Sequence, residues 1–439
     1  MRRKPLSAAL LATALLTVAG CGGGGSATGE AATKPSDPAK VEGTITVLTH
    51  RTDLVQDGTM KKYAAEFKKT YPKVSVKFQG ITDYEGEVKI RMNTENYGDV
   101  LLIPAVISKG DYPKFFAPLG DTKDMARRYR FTGKSDVRGK TYGIANLGTV
   151  NGLVYNKAVW KRAGVTDWPT TPAEFLADLK RIKEKTGATP YYTNFKDGWP
   201  LSSPWTNSVG SVSCDAKASD ALATSDKPWA KGSELNVIDT LLHDIVHDGL
   251  SEKDPSTTNW ETSKTDLAKG KISSMLLGSW AVHQMRDAAT KAGRNPDDIG
   301  FMPFPAQKDG KFCATMLSDY QLAVNAHSDN KSAARAWIDW FTEESGFAAK
   351  EGGVPALTSM SFPDVLKPYQ DNDVKLIERS EAKTERVNAI DNASEIGLAK
   401  PDYRQKLIDI ARGAQQGTLR GYFDDLDKRW AEASATAGG

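Results

Sequence analysis

Gly43-Thr44-Ile45-Thr46-Val47-Leu48, together with the residues that follow it to position 80, decides the fold of this chain. Apolar and polar side chains alternate from Thr44 to Leu48, the period of a strand with one buried face. Met60, Tyr63, Ala64 and Phe67 then recur at i, i+3, i+4 and i+7, which puts them on one face of a helix. Pro72 ends that region, because proline lacks the N–H a helix needs. Val74, Val76 and Phe78 alternate again. Strand, helix and strand in this order make an α/β unit.

Similar signals recur outward. Thr171-Pro172-Ala173-Glu174 is a capping box with proline at the first helical position, and Phe175, Leu176, Leu179 and Ile182 continue that helix on one face. Val237, Ile238, Leu241, Leu242 and Ile245 mark a second helix, and Ala334, Trp337, Ile338 and Phe341 a third. Leu419, Phe423, Leu426 and Trp430 mark an amphipathic helix near the C-terminus. Strand signals concentrate before residue 155 and again near 299–325, with helices between and after. A sheet fed by segments so far apart predicts a chain that crosses between lobes more than once. The 439 residues suffice for two domains, and 39% hydrophobic with 26% charged residues suits a globular body.

At the N-terminus Arg2, Arg3 and Lys4 precede an apolar run over 6–18, and Val18-Ala19-Gly20-Cys21 leads into four glycines. The run is shorter than the about 20 apolar residues that span a bilayer, so 1–20 reads as a signal peptide. The small residues before Cys21 resemble the lipobox of bacterial lipoproteins. That resemblance implies a lipid such as palmitate on Cys21 and an exported chain anchored to the outer face of the cell membrane. The alternative is an ordinary cleaved signal with an incidental cysteine. Residues 21–42, rich in Gly, Ala, Ser, Thr and Pro, read as a flexible tether. Export largely excludes cytosolic metabolism and transcription.

Three of the 58 basic residues lie at 2–4, so the remainder balances 55 basic against 55 acidic side chains. Neutral balance gives no electrostatic reason to expect nucleic acid or an anionic membrane surface as partner. The anchor is the one membrane contact expected. Cys214 and Cys313 remain as a candidate pair in an oxidising compartment.

Catalytic signals are poor. The sequence holds no P-loop, no Gly-x-Ser-x-Gly and no convincing nucleophile–base pair. His243 and His247 have the i, i+4 spacing of a metal pair, but Asp244 stands where zincin chemistry needs a glutamate as general base. They also flank the apolar face of their helix, so no metal and no cofactor is expected. Lys217, Lys227 and Lys231 read as ordinary solvated surface.

Aromatic residues in polar loops are the better clue. Trp199 and Trp205 sit within Lys196-Asp197-Gly198-Trp199-Pro200-Leu201-Ser202-Ser203-Pro204-Trp205, and Trp280 follows Gly278-Ser279. Sugars need this combination, because a pyranose has an apolar face that stacks on a ring and an edge of hydroxyls. A stack that removes about 50–100 Å² of apolar surface contributes only ~1–2.5 kcal/mol. Hydrogen bonds to charged groups add about 1.5–3 kcal/mol each and set orientation. A single tryptophan of this kind is otherwise core packing.

The order of motifs resembles the extracellular solute-binding proteins of ABC importers, in particular the sugar-binding group that includes maltose-binding protein. Gly43 to Leu48 is similar to the family's opening strand, and Phe67-Lys68-Lys69-Thr70-Tyr71-Pro72-Lys73-Val74 to its step into the second strand. Tyr97-Gly98-Asp99-Val100 is similar to a further family motif but lacks its proline. Gly139-Lys140-Thr141-Tyr142-Gly143-Ile144 followed by Tyr155-Asn156-Lys157 is the most specific piece. Ala163-Gly164, Pro169 to Phe175, Leu277-Gly278-Ser279-Trp280, Met302-Pro303-Phe304-Pro305 and Lys331 to Ile338 follow in order.

The resemblance implies an α/β, two-lobed, periplasmic-binding-protein-like fold of type II, with a ligand cleft between the lobes and several hinge crossovers. Those crossovers are expected near 147–151, 278–281 and 326–331. Lobe 1 is then 43–148 with 281–327, and lobe 2 is 149–280 with 328–439. Such a protein is a monomer that captures a sugar by hinge closure and delivers it to membrane permease subunits, without catalysis.

The resemblance also places ligand contacts. Trp280 matches a tryptophan that stacks on sugar. Arg51 and Asp53 lie in the loop after the first strand, where their bland reading is a surface ion pair. Asp83 and Tyr84 follow the second strand. Tyr142 and Asn146 lie at the first crossover, and Asp319 and Tyr320 before a strand that leads to the third. Trp199 and Trp205 supply a wall from the second lobe. Residues 100–107, Val-Leu-Leu-Ile-Pro-Ala-Val-Ile, lack the Trp and Asp with which some relatives grip sugar, so the grip of maltose-binding protein is not expected. On this map Cys313 falls in lobe 1 and Cys214 in lobe 2, so either the sulfurs sit near the hinge or both stay free. Three other readings remain: a non-sugar solute, a signalling role, and a surface glycoside hydrolase using carboxylates such as Asp53 and Asp83.

Overall fold

The computed structural model describes residues 30–437. The expected signal peptide over 1–20, the expected anchor Cys21 and the expected tether as far as residue 29 lie outside the described residues. Residues 30–42, expected as flexible tether, are instead docked on the body, with Ala32 and Val41 buried and Ala32 N donating to Pro118 O at 3.0 Å. The strands are β1 (Gly43–Thr49), β2 (Val74–Gly80), β3 (Val100–Leu102), β4 (Gly120–Asp121), β5 (Asp136–Val137), β6 (Lys140–Thr141) and β7 (Ile144–Ala145). They continue with β8 (Gly148–Asn156), β9 (Ser274–Gly278), β10 (Ile299–Met302), β11 (Gln307–Lys308), β12 (Lys311–Ser318), β13 (Gln321–Val324) and β14 (Lys375–Glu378).

β1 and β2 pair in parallel along their whole length. The helix between them, Thr59–Thr70, buries Met60, Tyr63 and Phe67 and leaves its lysines in water. The opening α/β unit therefore forms as its period requires. The first sheet runs β2-β1-β3-β13-β7, with β13 antiparallel to both neighbours. The second runs β10-β8-β12-β11, with β9 also paired to β8 and β14 to β12. A small third sheet is β4-β6-β5.

The second sheet is covered on both faces. In β9, Met275 and Leu277 face one apolar core and Leu276 the other, and β10 repeats this with Ile299 and Phe301 against Met302. Strands buried on both faces read as continuous apolar runs, which is why 275–277 shows no alternation.

The chain passes between the two sheets at 145–148, at 318–321 and again beyond residue 354. The connections bond to one another. Asp319 N donates to Leu147 O and Asn146 N to Tyr320 O, both at 3.0 Å. Gly148 and Val354 exchange two N–H···O bonds of 2.7 Å. A bundle of adjacent, short connections is the place where hinge motion concentrates.

The expected lobe boundaries need correction. β9 turns directly into helix Trp280–Lys291, which packs back on helix Trp260–Ala268 and on β8 to β10. β10 and β12 both pair with β8. Residues 281–318 therefore belong with the second sheet, and there is no crossover at 278–281. Helix Lys331–Glu343 lies against β1, β13 and helix Thr59–Thr70, with Trp337 edge-on to Phe67 at 5.2 Å. This segment belongs with the first sheet, and the chain does not cross at 326–331.

Cys214 and Cys313 are joined by a disulfide, with Cα atoms 5.4 Å apart. Cys313 lies in β12, so both cysteines belong to the second lobe and the bond does not cross between lobes. His243 and His247 stack at 5.5 Å beside Asp244 and Asp248. No helix among the described residues is long and apolar enough to cross a membrane.

Candidate binding site

Three tryptophans meet on the second lobe, and each opens a helical segment. Trp199 begins the turn Trp199–Leu201, Trp260 begins helix Trp260–Ala268, and Trp280 begins helix Trp280–Lys291. Helical side chains lean toward the N-terminus, so one at the first position projects past the end of its helix. Ring centroids lie 5.0 Å apart for 199–260, 5.8 Å for 199–280 and 5.9 Å for 260–280. All three rings are half-buried.

Local chemistry fixes the platform. Gly198 adopts φ +74° and lies so close to Pro401 that a Cβ would come to 2.7 Å. The Asp197 carboxylate accepts from Trp260 N at 2.8 Å, tying the two segments together. Lys264 Nζ stands 5.0 Å from the Trp260 ring centre. Gly278 leaves no space for a side chain, because a Cβ would collide with Thr149 Oγ1 and the Trp280 indole.

The first lobe presents polar groups to this platform. β1 ends at Thr49, and His50 and Arg51 follow before helix Thr52–Gln56. Arg51 Nε and Nη2 donate to the two oxygens of Asp53 at 2.9 and 2.7 Å, and Nη1 donates to Glu351 at 2.6 Å. The His50 ring lies 5.0 Å from that of Tyr320, whose hydroxyl donates to Glu85 at 2.9 Å. A cavity of about 940 Å³ lies between the walls, lined by His50, Arg51, Asp53 and Asp319 on one side and Trp260, Lys264 and Trp280 on the other.

Electrostatics leaves this wall charged. Burial works against the Arg51 cation, but Asp53 and Glu351 outweigh it and push its pKa up. The Arg51 hydrogen bonds hold Asp53 below the usual carboxylate range. Burial pushes His50 down and the Asp319 carboxyl up, and each opposes the other's shift. Asp319 keeps solvent-exposed surface, whereas His50 is half-buried.

The residues singled out from sequence divide into two groups. Arg51, Asp53, Trp280 and Asp319 line one cavity, Trp199 completes the platform, and Tyr320 stands beside His50. Asn146 lies buried beneath, where its Oδ1 accepts from Leu147 N at 2.8 Å. The rest do not join them. Asp83 is an exposed cap, accepting from Gly86 N at 3.3 Å. Tyr84 is core, with its hydroxyl taken by the backbone of Leu102. Tyr142 is buried in the first lobe's core. Trp205 is 1% exposed and packs edge-on to Tyr191, so it forms no wall of the cleft. Sequence reasoning missed His50, Trp260, Lys264 and Glu351. The signal for Trp260 was the cap Asn259 directly before it, which accepts from Thr262 N at 2.9 Å.

Residues 52–346 match the family described as bacterial extracellular solute-binding protein. A binding protein of an ABC transporter from Bifidobacterium animalis subsp. lactis, solved in complex with mannobiose, is 35% identical, with a TM-score of 0.82 over 91% of this chain and 96% of that one. A manno-oligosaccharide-specific solute-binding protein from the same organism, solved with mannotriose, is 32% identical with a TM-score of 0.82 over the same shares. The diacetylchitobiose-binding protein DasA of Streptomyces coelicolor is 27% identical over 384 residues, 81% of this chain and 82% of its own length.

Proposed function

The chain belongs to the bacterial extracellular solute-binding proteins, and from that premise we propose that it captures an oligosaccharide between its lobes and delivers it to the permease of an ABC importer. One observation carries the reading: a half-exposed Trp199–Trp260–Trp280 platform faces Arg51, His50 and Asp319 across a cavity of about 940 Å³. Such a site offers a stacking surface from one lobe and hydrogen-bonding charge from the other. Its size suits a small ligand, since binding cavities run about 300–1,000 Å³. Trp280 and Trp199 stack on the sugar, with Trp260 beside them. Arg51, Asp53 and Asp319 bind hydroxyls. The similarity to manno-oligosaccharide receptors makes manno-oligosaccharides the first ligands to test.

The receptor acts as a monomer without chemistry of its own. The first lobe is built from residues up to 147 and from 319 to the third connection, and the second from the remainder. Lipidation at Cys21 holds it near the permease. Calorimetry and tryptophan fluorescence with mannobiose, mannotriose and diacetylchitobiose test the proposal. A saturable heat with at least one saccharide is expected, and Trp280→Ala should weaken it by about 5- to 70-fold, the equivalent of ~1–2.5 kcal/mol. Binding of a non-sugar solute with none of a saccharide would overturn the ligand class. Release of shorter sugars during incubation would overturn the absence of chemistry.

A further inference from the structure

Residues 30–42 form a strap on the first lobe. Arg335 Nη1 donates to Ala32 O at 2.8 Å, and Lys34 Nζ lies 3.0 Å from Glu343, so the strap touches helix Lys331–Glu343 near both ends. That helix has residues 333–342 all buried. The strap then leads into β1, where Gly43 N donates to Lys73 O at 3.3 Å. The stretch from Cys21 to Ala32 spans at most about 40 Å, at about 3.6 Å per residue. A lipid on Cys21 therefore keeps the strap, and the surface beside it, close to a membrane.

The surface beside it is basic. Helix Thr59–Thr70 turns Met60, Tyr63 and Phe67 into the core. At about 100° per residue, Lys61, Lys62, Lys68 and Lys69 fill an arc of about 120° on the opposite side, centred on Ala65. All four are exposed, as is Lys73 in the turn that follows. Glu66 is the acid of this helix, 2.7 Å from Lys69, and Asp57 stands before the helix, where it accepts from Thr59 N at 2.8 Å. Lys61 and Lys62 lie in the first turn, where the positive end of a helix disfavours cations, so helix stability does not account for them. The neutral balance of the whole chain does not extend to this face.

Resting on the lipid anchor proposed above, we infer that the lysine face of helix Thr59–Thr70 docks on the anionic phospholipid headgroups of the membrane that carries the anchor. The short leash and the lysines act together. The leash confines the face near the bilayer, and each lysine close to such a surface strengthens partition about fivefold. That attraction extends over a screening length of about 8 Å at physiological salt. The first lobe is then the seated one, and the second lobe is the one that moves when the cleft closes.

Vesicle co-sedimentation tests this with the chain from Gly22 onward, which keeps the whole described body and lacks Cys21. Vesicles of equal phosphatidylglycerol and phosphatidylcholine should retain it at low salt, with half-binding on the order of 1 mM lipid, and release it at about 0.5 M salt. Phosphatidylcholine alone should not retain it. Lys61→Gln/Lys62→Gln/Lys68→Gln/Lys69→Gln should weaken binding at least about thirtyfold while Tm stays within about 3 °C of wild type. Equal retention by both vesicle types or by neither, a variant that binds as wild type, or binding to soluble polyphosphate without binding to the anionic vesicles overturns the membrane face. An unmodified Cys21 in the mass of the exported chain overturns the anchor instead, and the vesicles still decide the lysine face.

Discussion

Reducing the Cys214–Cys313 bond should lower stability and leave ligand affinity untouched. The bond joins residues 99 apart in sequence. In the chain-entropy description a loop of about 100 residues closed in the unfolded state contributes ~4.7 kcal/mol at 25 °C. In a unit of about 150–250 residues each kcal/mol moves Tm by ~2–4 °C, so the ceiling is a fall of ~9–19 °C. The native loop stays docked without the bond. Thr315 Oγ1 donates to Asn207 O, and Arg379 Nη1 donates to Asn207 Oδ1 at 2.9 Å. Both cysteines lie in the second lobe and neither takes part in the bonds that join the connections at 145–148 and 318–321, so hinge closure should be unaffected. Scanning calorimetry of the oxidised chain, the reduced chain and Cys214→Ala/Cys313→Ala, each with a saccharide titration, provides the assay. Kd should change by under about twofold, or ~0.4 kcal/mol. A tenfold change in Kd at constant Tm would mean that the bond restrains the lobes, and the placement of β12 in the second lobe would be wrong. Unchanged Tm and Kd would refute the entropic argument.

Gly278→Ala should displace the Trp280 indole and weaken saccharide binding by about tenfold, or ~1.4 kcal/mol, in calorimetry; wild-type affinity would show that the ring is free of β9. Asp239→Ala removes the partner of Arg404, an ion pair of 2.8 Å in which neither side chain has exposed surface. Urea titration should show a loss of about 3–5 kcal/mol, and a loss below ~1 would contradict the burial argument. Arg404 also donates to the Leu201 and Ser202 carbonyls at 3.2 Å, just beyond Trp199, so binding should weaken with it. Burial pushes Glu381 up, but Arg379 and Lys134 outweigh it and hold its pKa at about 2. Its stabilisation is whole above the ordinary value of 4.5 and is lost as pH falls through about 2. The gap is worth ~3 kcal/mol, and Glu381→Gln should flatten that part of the acid denaturation curve.

The opening α/β unit was legible because its period is local: each of 45, 47, 60, 63 and 67 needs only its own element to declare a buried face. The lobe boundaries were not, since a polar turn at 278–281 looks alike whether the chain leaves a sheet or folds back on it. Only the pairing of β10 and β12 with β8, 140 and more residues earlier in sequence, settles the matter. That shift also moved Cys313 across the molecule and opened the way to the disulfide. Within the site, Trp280 was readable from its Gly-Ser lead, whereas Trp205 shares the same polar surroundings and is core. The difference is helical phase. Trp205 sits third in helix Ser203–Thr206 and turns inward, while 199, 260 and 280 sit first. Phase is not sufficient, because Tyr84 also opens a helix but turns its hydroxyl to β3.

The division of labour between the lobes makes closure depend on ligand length. A stack on the second lobe alone, worth ~1–2.5 kcal/mol, corresponds to a Kd on the order of 10–200 mM. Reaching ~1 μM requires about −8.2 kcal/mol, and the ~6–7 kcal/mol beyond the stack is within what three hydrogen bonds to charged groups of the first lobe can supply at about 1.5–3 kcal/mol each. Those groups, Arg51, Asp53 and Asp319, line the wall opposite the tryptophans, so in the proposed binding mode only a ligand that reaches both walls gains their bonds. A ligand shifts an equilibrium by no more than its differential affinity for the two states. A monosaccharide resting on the tryptophans therefore binds without closing the protein, whereas an oligosaccharide that spans the cleft closes it. Small-angle X-ray scattering at saturating ligand distinguishes the two cases. The radius of gyration should fall with mannotriose and stay at the unliganded value with mannose. An equal fall with both sugars would mean that closure is driven from one lobe alone, and the two-wall account of the site would fail.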